Sequence, residues 1–198
     1  LLPPPPSLQG VAFEANDRFD GRGARFVLDG GFTVVGRGVS ANYFDTLGVR
    51  VRGRGFSAED AVPGAAPVAV ISDVLWSHRY ARRADIASGT IEVSGRRFAV
   101  VGVAAPGFRG PRRGDTVDIW VPLHATASLV PYVSAEAFLR DVQRLPLRLY
   151  ARLAQQASLA QAGADVRQRL DQRSRVWNLR SLADTSYPVD AIGRERED

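Results

Sequence analysis

Cysteine is absent from this 198-residue chain, which excludes a disulfide framework and thiolate chemistry while saying nothing about compartment. Lysine is absent too. All 26 basic residues are arginine, a skew that fits codon usage in a GC-rich genome better than selection for guanidinium chemistry. Long apolar runs are also missing: the longest, Phe98 to Ala105, is interrupted by Gly102 and falls far short of the roughly 20 residues a membrane-spanning helix needs. The chain is therefore not itself a membrane anchor. There is no initiating methionine, and no basic n-region followed by an apolar h-region, so a segment of a longer protein is expected. What remains is ordinary for a globular protein, with 45% hydrophobic residues and 24% charged ones. The net charge of +5 and the isoelectric point near 10.3 permit loose binding to polyanions, but the arginines are spread along the whole chain and no nucleic-acid partner is expected.

The most ordered stretch runs from Val39 to Ile71. Ser40 is placed to cap a short helix, Phe44 and Leu47 share its inner face, and Gly48 ends it. Val49 and Val51 alternate with Arg50 and Arg52 as a one-faced strand, Ser57-Ala58-Glu59-Asp60 forms a second capping turn, and Val68 to Ile71 is a strand buried on both faces. Upstream, Pro3 to Pro6 reads as an extended linker, and Asp29-Gly30-Gly31 between apolar runs signals a hairpin. Downstream, Ser72 caps a helix from Asp73 to about Arg83, and Ser94-Gly95 turns a second hairpin. The prolines and glycines of Pro106 to Gly114 force a loop. A strand over Asp118 to Val121, a helix over Ala135 to Val142, a strand over Leu147 to Leu153, a helix opened by the capping box Ser158 to Gln161, a strand around Val176 to Leu182 and a solvated tail from Gly193 complete the expectation.

Candidate chemistry is sparse. Gly36-Arg37-Gly38-Val39-Ser40-Ala41 has the outline of a dinucleotide fingerprint, yet that mechanism needs a full helix facing the pyrophosphate, and Gly48 stops this one almost at once. No cofactor is expected. Ser72, Asp73 and His78 lie close in sequence without the G-x-S-x-G elbow of a hydrolase, and His78 reads as an exposed helix residue. His78 and His124 form no metal cluster. Glu59 and Asp60 belong to a capping turn, while Asp115 and Asp118 flank a strand entrance. Arg52, Arg54, Arg109, Arg112 and Arg113 either converge into a basic patch near the Pro106 to Gly114 loop or form a solvated face.

The order of motifs is more telling than any one of them. Val39-Ser40-Ala41-Asn42-Tyr43-Phe44, Leu47-Gly48-Val49, Gly53-Arg54-Gly55-Phe56, Glu59-Asp60, Val68 to Ser72, Leu75-Trp76, Gly89-Thr90-Ile91, Gly95 to Phe98, Val100 to Val103, Pro106 to Gly110 and Asp118 to Leu123 follow one another in a series. This series closely resembles the MacB-like periplasmic core domain of bacterial ABC-transporter permeases, the FtsX/MacB type, over roughly Phe32 to Leu123. Leu149 to Leu153 and Ser158 to Ala162 are similar to the family's returning strand and helix. Two departures stand out: Tyr80-Ala81-Arg82-Arg83 where relatives often have aromatic-Gly-Gly, and Leu153-Ala154-Gln155-Gln156-Ala157 where they have Leu-x-Pro-Gly.

The resemblance implies an α+β fold of two small mixed lobes with antiparallel-rich sheets, one built of β-α-β units and one inserted. The expected organisation is a linker over 1–10, a core domain over 11–190 with one lobe at about 32–123 and the other made of about 124–190 together with 11–31, and a tail over 191–198. It implies a non-enzymatic, extracytoplasmic domain of an inner-membrane permease that transmits ATPase-driven motion, contacts a periplasmic protein, and is paired through the full permease, with ATP bound elsewhere. Tyr43, Phe44, Phe108, Arg109, Arg112 and Arg113 are the expected contact residues. A small-ligand or polyanion binding module is the alternative, followed by a hydrolase using His78.

Overall fold

The computed structural model describes residues 4–15, 24–126, 129 and 147–177, with side chains given as far as residue 169. Nine strands form one mixed sheet: β1 (Leu8–Ala15), β2 (Ala24–Leu28), β3 (Phe32–Val39), β4 (Val51–Gly53), β5 (Val68–Ile71), β6 (Thr90–Val93), β7 (Arg96–Ala104), β8 (Ile119–Pro122) and β9 (Leu147–Leu153). Among the described residues four α-helices accompany them: α1 (Tyr43–Leu47), α2 (Asp73–Tyr80), α3 (Leu123–Thr126) and α4 (Leu159–Trp177). This mixed, strand-rich α+β architecture is the expected class. Only β3 with β8 and β5 with β7 run parallel among the registers described, and the other pairs are antiparallel. The expected helix over Ala135 to Val142 and the tail from Gly193 lie outside the described residues.

The strand order β2-β6-β7-β5-β8-β3 closes on itself, because β2 pairs with β3 as well as with β6. The two hairpins that make the circuit were legible from their turns. Ser94 and Gly95 both adopt positive φ, 49° and 77°, which is the two-residue turn that matches strand twist. Within the circuit, side chains alternate between two cores. On β5, Ala69 and Ile71 join Phe26, Leu28, Phe98, Ile119 and Trp76 in one, while Val68 and Val70 join Val39, Tyr43, Phe44 and Trp120 in the other. That alternation explains why Val68 to Ile71 is apolar throughout: both faces are buried.

Contacts divide the chain into two units, Ala12–Tyr150 and Leu1–Val11 with Ala151–Asp198. In the smaller unit, Ser158 N–H donates to Gln161 Oε1 (2.8 Å) and Gln161 N–H to Ser158 Oγ (3.2 Å), the expected capping box. Ser7 Oγ donates to Asp165 Oδ2 on α4. Leu8 to Gly10, read as linker from sequence, already belong to β1. Val176 and Trp177, the first residues of the expected strand, belong to α4, and the rest of that stretch, to Leu182, lies outside the described residues.

Candidate functional site

The candidate surface is the 105–118 loop with α1 beneath it. Asn42 takes the N-cap position of α1 without a side-chain cap bond, because Ser40 Oγ is used elsewhere, accepting from Phe13 N–H (2.9 Å) and donating to Asn42 Oδ1 (2.8 Å). Ser40 is thus a cross-strand tie, not the expected cap. Gly48 does end the helix, at φ 71°, with its N–H bonded to Asp45 O. So brief a helix gains little from its own hydrogen bonds and is held by what it packs against. The Phe44 ring stands 5.4 to 6.1 Å from those of Tyr43, Phe56, Phe108 and Trp120, and Phe108 stacks on Trp120 at 5.4 Å.

Tyr43 and Phe44, two of the expected contact residues, are 0% and 3% exposed and belong to the core. Phe108 is half-buried in the same aromatic cluster. Arg109 Nη2 donates to Asp118 Oδ1 (2.6 Å) and to Thr116 O (2.9 Å), and Arg112 holds Asp115 through both its backbone N–H and its Nη2 (2.9 Å each). Of the expected set, Arg113 alone presents an exposed side chain.

Below the loop lies a group of charges that sequence reading missed. Glu14 and Arg37 are 1% and 2% exposed on β1 and β3. Glu14 Oε2 accepts from Tyr43 OH (2.7 Å), and Oε1 lies 3.6 Å from Arg37 Nη1 and 3.5 Å from Arg148 Nη1. Arg37 Nη2 lies 3.9 Å from Asp115 Oδ1, so the buried pair reaches the loop. Burial, reinforced by the Glu14 carboxylate, raises the Tyr43 phenol far above its ordinary range and pushes Tyr150 up to about 12, so both hydroxyls keep their protons. A signal did exist: Arg37 shares strand parity with Val39, and Glu14 with Ala12, so each charge sits on an apolar face.

The other candidates are accounted for one by one. Gly36 and Gly38 lie within β3, not in a phosphate-cradling loop; a Cβ on Gly36 would stand 1.9 Å from the Phe26 ring, so the glycine makes room for packing. Ser72 Oγ accepts from Leu75 N–H as the cap of α2, Asp73 is clamped by both guanidinium nitrogens of Arg82, and His78 is exposed, so these three residues make no catalytic relay. Asp60 takes a two-point contact from Arg54 (2.6 and 2.9 Å) and one from Ser57 N–H (2.7 Å), while Arg52 stacks over Trp76 at 5.0 Å. Of the five arginines that sequence reading left open between a basic patch and a solvated face, Arg52, Arg54, Arg109 and Arg112 each have their own contact among the described residues and Arg113 is exposed.

A family model described as MacB-like periplasmic core domain matches residues 5–169, and the chain belongs to that family. None of the curated proteins compared matches it. Among solved structures, the periplasmic region of MacB from Actinobacillus actinomycetemcomitans is similar at 14% identity and a TM-score of 0.56, covering 85% of this chain and 69% of that one. The extracellular domain of the noncanonic ABC-type transporter YknZ from Gram-positive bacteria is similar at 13% identity and a TM-score of 0.56, covering 85% and 78%. At such identities the likeness establishes the fold.

Proposed function

We propose that this chain is the extracytoplasmic domain of an inner-membrane ABC-transporter permease, that it makes and breaks no bonds, and that it passes ATPase-driven movement to or from a periplasmic protein. The match of residues 5–169 to the family carries the reading. The ionisable groups fit it, since Asp60, Asp73, Asp115 and Asp118 each hold an arginine in the scaffold. In the parent permease, with ATP hydrolysed by its partner subunit or domain, the loop serves as a contact through Arg113 while Asp115 fastens it to the charges on the sheet.

The test is made on the whole transporter. Arg113→Glu is expected to lower transport without shifting the thermal midpoint of the domain, because the side chain is exposed. Unchanged transport together with turnover of an ester or glycoside by the purified chain, abolished in His78→Ala, would reverse the reading.

A further inference from the structure

The strands from β2 round to β3 form a closed circuit, but β4 stands outside it and pairs with β7 alone among the described residues: Val51 with Ala104, Arg52 with Val103 and Gly53 with Gly102. Ala105 N–H donates to Arg50 O (2.9 Å) and Arg54 N–H to Val101 O (3.0 Å), so the same register reaches one residue past each end. Bonded and non-bonded positions alternate in an antiparallel ladder. Arg50, Arg52 and Arg54 therefore turn their backbone groups to β7, while Val51 and Gly53 turn theirs to the open side. Gly53, at φ 107°, closes the extended run. Side chains follow the same alternation. Val51 packs against the core of Tyr43, Phe44 and Trp120, and Arg50 and Arg52 project from the other face, both exposed.

The neighbouring arginines are committed, Arg54 to Asp60 and Arg82 to Asp73. Arg50 and Arg52 have no ion pair or side-chain hydrogen bond among the described residues. Arg52 is held in place all the same: its guanidinium lies 5.0 Å from the centre of the Trp76 ring, and Arg82 rests on that ring at 5.2 Å. Stacking occupies the flat face of a guanidinium and leaves the N–H groups on its rim available. Such charge on an edge strand turns away a second copy of this chain, because β4 laid against β4 sets arginine opposite arginine. It favours a strand of the opposite sign. We infer that the open side of β4 takes an extended acidic segment of another protein as a further strand, with carboxylates at alternate positions opposite Arg50 and Arg52. Val51 and Gly53 supply the backbone bonds, and the ring under Arg52 lowers the cost of ordering it. The inference is independent of the permease reading and adds a second contact surface to that of Arg113.

The probe is a fluorescein-labelled peptide repeating Glu-Thr, titrated into the 198-residue chain at near-physiological salt and followed by anisotropy. Its alternation brings every carboxylate to one face of an added strand. A peptide repeating Glu-Glu-Thr-Thr has the same composition but divides its carboxylates between the faces, and is expected to bind about tenfold more weakly. Arg50→Glu and Arg52→Glu should each weaken binding of the alternating peptide about tenfold, and Arg96→Glu, an exposed arginine at the far end of β7, by less than about twofold. Arg50→Glu leaves the stack on Trp76 intact, so its loss is read free of any effect on folding. N-methylation of the peptide at its threonines or at its glutamates removes one row of backbone donors at a time, and one of the two forms should not bind. Undiminished binding of both methylated forms, or no binding of the alternating peptide, overturns the proposal. Equal affinity for the two repeats overturns it in favour of a general polyanion surface. A dimer of the chain in sedimentation that Val51→Pro disrupts, by removing an N–H of the open side, overturns it in favour of a second copy.

Discussion

Glu14 and Arg37 show what a single pair of side chains costs and secures. Two charges held at about 1% exposure forfeit hydration, and their attraction compensates only while both are present. Glu14→Leu should therefore destabilise the domain by about 3–5 kcal/mol in urea unfolding, since it takes from the buried Arg37 the nearer of its two carboxylates. The double variant Glu14→Leu with Arg37→Met should recover much of that loss. Asp60 behaves differently because its partner, Arg54, is half exposed to solvent. Arg54 and the Ser57 N–H hold its carboxyl down to about 2, from 3.8 in the ordinary state. Between those values the unfolded chain binds a proton that the folded one does not. This contribution is complete above about pH 4 and is lost as pH falls toward about 2. Acid titration of thermal midpoints should show a shallower fall over that interval in Asp60→Asn than in the parent. The buried pair was not foreseen because no motif marks it, only the parity of residues 14 and 37 along their strands.

Among the elements, those closed by local chemistry were read well. Ser72 capping α2, Gly48 ending α1, the Ser158–Gln161 box and both hairpin turns act within a few residues, so sequence carries them. Elements settled by distant contacts were read less well. Ser40 is claimed by Phe13 N–H from another strand, and α4 runs through Trp177 where a strand was expected. The end of α2 is instructive: Tyr80-Ala81-Arg82 stands where relatives often have aromatic-Gly-Gly, and it lacks the glycines. Instead Ala81 and Arg82 adopt the left-handed conformation themselves, at φ 47° and 54°. Arg82 is held there by Asp73 and by the face of Trp76 at 5.2 Å. Ala81→Gly should relieve backbone strain and raise stability by about 0.5–1 kcal/mol, read from the thermal midpoint. Ser72→Ala should cost about 1 kcal/mol by removing the cap.

On the scale of the molecule, the α+β class and the family were legible because they depend on the order of many plain motifs. Contact residues were not, because burial is a property of the assembled sheet: Tyr43 and Phe44 look like a presentable aromatic pair until Phe56, Phe108 and Trp120 close over Phe44. Gly36→Ala tests the assembled sheet directly. With its Cβ driven into the Phe26 ring it should destabilise by about 1–3 kcal/mol, and Phe26→Leu in the same chain should return part of the loss.

A ribbon of strands with a free side can be peeled, one bond yielding after another. The six strands from β2 round to β3 offer no such side, so a load applied near Val39 is shared by several ladders before any one gives way. The seam between β2 and β6, described by the single pair Leu28 and Val93, is the place where that hoop would part first.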